Sequence, residues 1–241
     1  MEACAQAALW GAVAAAPLLI GALLALRLSP SPKVVGLVAA FGAGALISAL
    51  SFDLVLDAAA EGDLWQLALG LTLGAITYWA GNLALAKRSA TTSGGASRGL
   101  PLLLGSVLDG IPESFILGLG VAAGSGVSIP FLVAVSVSNF PEGMTSTSAL
   151  KADPDFPPTR IIGMWAIVVA VSAGFAGFGG WLCDSVPTGV SVTAQAFAAG
   201  ALLTMLTDDM IPDADDDVGS VAGLAVALGF AVAFGLHQMG T

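Results

Sequence analysis

The chain has 241 residues, 56% of them hydrophobic and only 10% charged, with a formal net charge of −10. A soluble domain usually carries about 25% charged residues, so this composition, with a mean hydropathy of +0.91, excludes that class and implies a polytopic membrane protein. Two cysteines and one histidine exclude a disulfide framework, a thiolate metal site and a multi-histidine site within one chain.

Eight apolar segments follow in order, at about 5–26, 34–57, 64–86, 99–122, 127–150, 160–183, 189–212 and 219–239. Each is close to the roughly 20 residues that a helix needs to cross a bilayer. The first lacks a basic lead-in and is read as a retained span. The connections are short, so neighbouring spans run antiparallel. The two longest are a Ser, Thr and Gly-rich linker from Lys87 to Arg98 and a segment with three prolines from Lys151 to Arg160. The whole chain reads as one transmembrane domain. All seven basic residues (Arg27, Lys33, Lys87, Arg88, Arg98, Lys151 and Arg160) fall at one end of an eight-span bundle. By the positive-inside rule that end is expected in the cytoplasm and both termini outside, in the cell membrane.

An internal repeat links spans two and seven. Residues 41–58 align without gaps on 197–214, with nine of 18 positions identical, among them Asp53 with Asp209 and Asp57 with Asp213. The two copies run in opposite directions through the membrane, as in inverted-repeat transporters. Spans four and five carry a second pair of related motifs, Asp109-Gly110-Ile111-Pro112-Glu113 and Ser138-Asn139-Phe140-Pro141-Glu142. The expected fold is therefore an all-α integral membrane protein of eight transmembrane helices in a 3+2+3 inverted-repeat bundle.

Carboxylates at membrane depth are expensive and point to function. Asp109 and Glu113 are four residues apart and share a helix face; Asn139 and Glu142 are three apart, with Ser138 beside them. Facing each other, these helices would offer an oxygen-rich cation site, and each proline frees a backbone carbonyl nearby. Asp53 and Asp57 at one end, and Asp208, Asp209 and Asp213 at the other, are candidates for a path in and a path out. The competing reading for these five is ordinary interfacial acids. Asp215 to Asp217 read as a solvated loop, His237 as an interfacial tail residue, and the tryptophans mostly as interface anchors. Cys4 and Cys183 are expected on the same side, where a disulfide is an open alternative. No nucleotide motif, Ser-His-Asp set or nucleic-acid patch occurs. No cofactor, nucleic-acid partner or enzymatic activity is expected.

These motifs resemble those of the ZIP (Zrt- and Irt-like) metal transporters, particularly their short bacterial branch. There, span four carries His-Asn-x-Pro-Glu-Gly and span five a similar Pro-Glu-Gly motif; the run ending Asp209-Met210-Ile211-Pro212-Asp213-Ala214 is similar to the family's Pro-Glu-Ala segment. The resemblance covers nearly the whole chain. It implies a metal site between spans four and five, uptake of Zn²⁺, Fe²⁺ or Mn²⁺ toward the cytoplasm, alternating access by an elevator-like movement, and commonly a homodimer. Asp109 and Gly110 stand where the family has histidine and asparagine, and the histidine-rich cytoplasmic loop is absent. Oxygen ligands in place of nitrogen favour harder ions, though Zn²⁺ also accepts carboxylates. The expected ligands are Asp109, Glu113, Ser138, Asn139 and Glu142. The alternative is the same scaffold binding or moving another cation, monovalent or an organic amine, with no divalent-metal activity.

Overall fold

The computed structural model describes residues 2–28, 30–91, 99–122, 127–185 and 187–240. The Ser, Thr and Gly-rich segment 92–98 and the side chains of Asp57 and Cys183 lie outside the described residues. All regular structure among them is helical, in eight spans: α1 (Glu2–Arg27), α2 (Pro32–Glu61), α3 (Leu64–Thr91), α4 (Gly99–Ala122), α5 (Ile129–Lys151), α6 (Pro158–Ser185), α7 (Thr188–Met205, continuing through Leu206–Met210 and Ile211–Val218) and α8 (Val221–Gly240). The chain is an all-helical membrane protein.

Local chemistry sets the ends. Pro32 and Pro158 open α2 and α6, where the missing N–H costs nothing. Ser128 caps α5 by accepting from the Phe131 N–H at 3.2 Å. Gly219, at φ +64°, turns the chain from α7 into α8, a conformation that glycine adopts freely. Lys151 Nζ donates to the terminal carbonyls of Ala25 and Leu26 at 3.3 Å, closing the end of α1.

Seven of the eight helices are long and apolar enough to cross a membrane by length and composition; α5 is not among them. Its Ser138, Asn139, Ser146 and Thr147 are buried inside the bundle. A helix enclosed by α1, α2, α4 and α8 has little need of a lipid-facing apolar surface. The lipid-facing role falls to α1, α3, α6 and α8, which expose Leu9, Trp79, Ile167 and Leu224.

The helix pairs repeat. The packing of α3 on α7 is matched by α8 on α2, and that of α4 on α6 by α5 on α1. Glycines mark both crossings. A Cβ at Gly44 or Gly229 would overlap the backbone of Val226 or Phe41 across α2 and α8; one at Gly200 or Gly74 would overlap Leu71 or Phe197 across α7 and α3. Phe41 and Gly44 are the repeat partners of Phe197 and Gly200. The inverted repeat read in the sequence is thus a repeat in packing, with small residues admitting close backbone approach.

Three features differ from expectation. The α7 helix runs on to Val218, so Asp215 to Asp217 are helical rather than a loop. In addition, α2 and α7 each contain one π-helical turn, Leu50–Val55 and Leu206–Met210, at aligned positions. Ser51 Oγ donates to the Ile47 carbonyl at 2.7 Å, and its repeat partner Thr207 to Leu203 at 2.9 Å. Such back-bonds loosen the helical ladder, and Pro212 removes one donor just beyond the second turn. Trp165, expected at an interface, is fully buried and donates to Thr147 Oγ1 at 2.7 Å. An indole N–H can enter a core when it has a partner.

Replacing Gly44 by Leu should force α2 from α8 and lower stability by at least ~1–3 kcal/mol, read as an earlier thermal unfolding transition in detergent. Gly200→Leu should do the same across α7 and α3. Gly223→Ala, with open space at its Cβ, should leave the transition in place or raise it slightly.

Candidate cation site

The acids of α4 and α5 meet on a cavity of about 630 Å³ inside the bundle. Asp109, Glu113, Ser138 and Glu142 line its deep part, Tyr78 and Asn82 of α3 and Asp209 of α7 its wall, and Asp213, Asp216 and Asp217 its mouth. The last three are exposed, so the cavity runs from mid-bundle to the end that carries the lysines and arginines. Among the described residues every charged side chain lining it is acidic, and a narrow, low-dielectric, negatively lined passage raises the local concentration of cations.

The deep acids are tied together. Tyr78 Oη–H donates to Asp109 Oδ1 and stands 2.8 Å from Asp209 Oδ2. Asn82 Nδ2 donates to both Asp209 oxygens, at 2.9 and 3.0 Å. The Asp109 and Glu142 carboxyls lie within hydrogen-bonding reach of each other, and the Ser106 hydroxyl donates to Glu142. Glu113, 2% exposed, keeps Oε2 buried without a partner, as Glu142 keeps Oε1. Unpaired buried carboxyl oxygens are costly, and they are the atoms that a cation would satisfy. Among the described residues no three His, Cys, Asp or Glu side chains stand together as a metal cage; in this conformation the acids are engaged by one another and by Tyr78, Asn82 and Ser106.

Asn139 and Asp208 are placed elsewhere. Asn139, 3% exposed, is turned toward α1 and donates from Nδ2 to the Ala14 carbonyl at 3.0 Å. It is absent from the cavity lining. Asp208 is exposed on the outside of α7, also away from the cavity. Ser138 does line the cavity, with its hydroxyl donating to the Val135 carbonyl at 2.9 Å.

At the opposite end, Asp53 is the repeat partner of Asp209 and likewise sits in a π turn. It accepts from Ser128 Oγ at 2.9 Å and contacts His237 Nδ1. His237 is therefore not a free tail residue; it is held by Asp53 and lies against Phe52. The Asp53–His237 contact joins α2 to α8, as the Asp209–Asn82 contact joins α7 to α3. Between the acids and Asp53, Leu50, Ile116, Leu117, Phe131 and Val135 fill the core; beyond Tyr78 a second, apolar cavity of about 700 Å³ reaches Trp65, Gln66 and Pro187 at the opposite end.

The two carboxylate motifs are not placed symmetrically. Helix packing pairs Phe115 with Phe140 and Gly118 with Gly143, since a Cβ at Gly118 or Gly143 would meet the equivalent backbone of α6 or α1. The motif pairs Pro112 with Pro141 and Glu113 with Glu142. The two registers differ by four residues, about one helical turn or roughly 6 Å. In the packing register Asp109 and Glu142 correspond to Ala134 and Leu117, both in the apolar core. The polar half of the bundle's centre thus faces one end only.

Tyr78, Asn82 and Ser106 were not identified in the sequence. Tyr78 and Asn82 did carry a signal: two polar side chains four residues apart in an otherwise apolar span share one face.

No protein-family model matches the chain. The chain is similar to an Arabidopsis thaliana protein named "Putative zinc transporter At3g08650", with 25% identity over 208 residues, 81% of this chain and 33% of the relative. The chain spans about a third of that relative's length.

Proposed function

We propose that the protein carries divalent cations of the Zn²⁺, Mn²⁺ or Fe²⁺ class across a membrane, with uptake toward the cytoplasm, and that it is not an enzyme. The observation that carries this reading is the pair of orphaned carboxyl oxygens, on Glu113 and Glu142, above an acid-lined cavity inside an apolar helical bundle. A relative named as a zinc transporter supports the same class of substrate.

Asp109, Glu113 and Glu142 would bind the ion, with the Ser138 hydroxyl beside them. An all-oxygen set suits Mn²⁺ and related hard ions, and is within the range of Zn²⁺. Asp209 and Asp213, continued by Asp216 and Asp217, would conduct it to the basic end, where positive-inside bias places the cytoplasm. Asp53, with Asp57, would receive it at the other end. An acid-lined cavity that reaches the basic end, with apolar packing between the acids and Asp53, fits one state of an alternating-access cycle, and no nucleotide motif offers another energy source. The same acids can hold protons or metal but not both, which suits coupling to proton exchange. The lack of a ready cage of three acids favours one second reading, a monovalent or amine cation on the same scaffold. A metal panel separates the two, because saturable divalent binding is expected only of the first.

Purified protein in liposomes should take up Zn²⁺ or Mn²⁺ down a gradient, and Glu113→Ala and Glu142→Ala should each reduce uptake to background. Uptake at the wild-type rate in both variants would remove these residues from the site. Asn139→Ala should behave differently. It should lose the bond to Ala14 and about 1 kcal/mol of stability, seen as a lower unfolding temperature, while metal still binds with near wild-type affinity.

A further inference from the structure

The eight helices fall into two groups. α1, α4 and α6, with α5 packed on α1 and α4, form one group; α2 with α8, and α3 with α7, form the second, joined where α2 meets the end of α7, and the two groups meet chiefly where α2 packs along α5. Side-chain hydrogen bonds cross between the groups at both ends. Ser128 of α5 donates to Asp53 of α2, and Tyr78 of α3 donates to Asp109 of α4. The second is the unusual one, because its acceptor is a residue we assign to the ion.

Tyr78 is built for that contact. It is the only tyrosine in the chain and is 4% exposed. Its hydroxyl lies between Asp109 and Asp209, one carboxyl from each group. Asp209 is fixed in turn by both of its oxygens to Asn82, one turn along the same helix as Tyr78. A phenol has one proton to donate, so it serves one carboxyl at a time. The anchor on the second group is therefore rigid, and the bond to Asp109 is the part that can be exchanged. A cation bound by Asp109 competes directly with the tyrosine for the same oxygen.

We propose that Tyr78 is a tether that holds the two helix groups together in the ion-free protein, and that an ion at Asp109 takes the carboxylate from the tyrosine and releases them. This rests on the cation reading of Asp109, and it adds a link between occupancy of the site and movement of the bundle. Tyr78 is a positioning residue here; it acts through Asp109 and binds no ion itself. Ion binding in the wild type includes the cost of breaking the tether, and removing the hydroxyl removes that cost.

The test is calorimetric titration of Mn²⁺ into the full chain in detergent micelles, comparing wild type with Tyr78→Phe. The proposal expects the phenylalanine variant to bind Mn²⁺ tighter by roughly three- to tenfold, the scale of one hydrogen bond to a carboxylate. A tyrosine that only packed, or that ligated the ion, would give unchanged or weaker binding in the variant, and either result overturns the tether. Asn82→Leu, which frees Asp209 from its clamp, should shift affinity in the same direction by less. It decides the question if Tyr78→Phe is not monodisperse on gel filtration. Asp109→Ala separates the two layers of the argument. If Mn²⁺ binds as well without Asp109, the cation site itself is misassigned; if binding is lost there yet is no tighter in Tyr78→Phe, only the tether fails.

Discussion

A carboxylate inside a membrane bundle must be satisfied by the protein, because lipid offers no partner. The centre of this structure is arranged around that constraint. Asp109, Glu142 and Asp209 each find partners among one another, Tyr78, Asn82 and Ser106. The acids and their partners come from four helices, α3, α4, α5 and α7, so satisfying the acids also fixes how those helices sit. Glu113 and Glu142 each keep one unpaired oxygen, and this residue of unmet demand is what gives the cavity an appetite for cations. An apolar residue in their place would cost nothing to bury. Three acids at this depth point to a functional role.

The same constraint explains the two π turns. An acid in a regular helix at the bundle's centre would need its helix to face the partner over its whole length. A single wide turn re-aims one side chain while the helix continues, which is why such turns gather at functional positions. Asp53 and Asp209 sit in these turns, at repeat-related positions, and each is met by a side chain from the helix packed beside it, His237 or Asn82. The duplicated segment therefore delivered the same device to both ends. The ends differ in chemistry, because one device uses an imidazole and the other an amide.

Much of this was legible in the sequence. Eight spans, the inverted repeat and the carboxylates of α4 and α5 follow from hydropathy, the match of 41–58 to 197–214, and the cost of intramembrane acids. Side-chain direction was less legible. Asn139 and Glu142 are three apart and were read as one face, yet Asn139 turns to α1 while Glu142 turns to the cavity. A helix enclosed by several neighbours has more than one polar face, and spacing alone does not say which neighbour each residue meets. His237 was read as a tail because it is near the C-terminus; its partner lies 184 positions away, a separation that no local pattern reports. The helical course of Asp215 to Asp217 was hidden by their charge, which reads as loop unless the end is known to reach solvent.

The offset between motif register and packing register bears on how the bundle could work. If the acids followed the packing symmetry, two equivalent sites would face the two ends and an ion could rest in either without any change of shape. Instead the packing images of Asp109 and Glu142 are Ala134 and Leu117 in the apolar core. An ion at the acids is thus one turn away from the pseudo-symmetric centre, on the side of the open cavity. Reaching the Asp53 end requires the polar turn of α4 and α5 to move past that apolar layer, or the layer to move past it. The glycine-lined crossings that lock helices together lie mostly within each group, Gly42 of α2 against the Ser138 backbone of α5 being an exception, an arrangement compatible with such sliding. Asymmetry in the motif, laid on symmetry in the packing, fits the proposal that one site serves the two ends in turn rather than both at once.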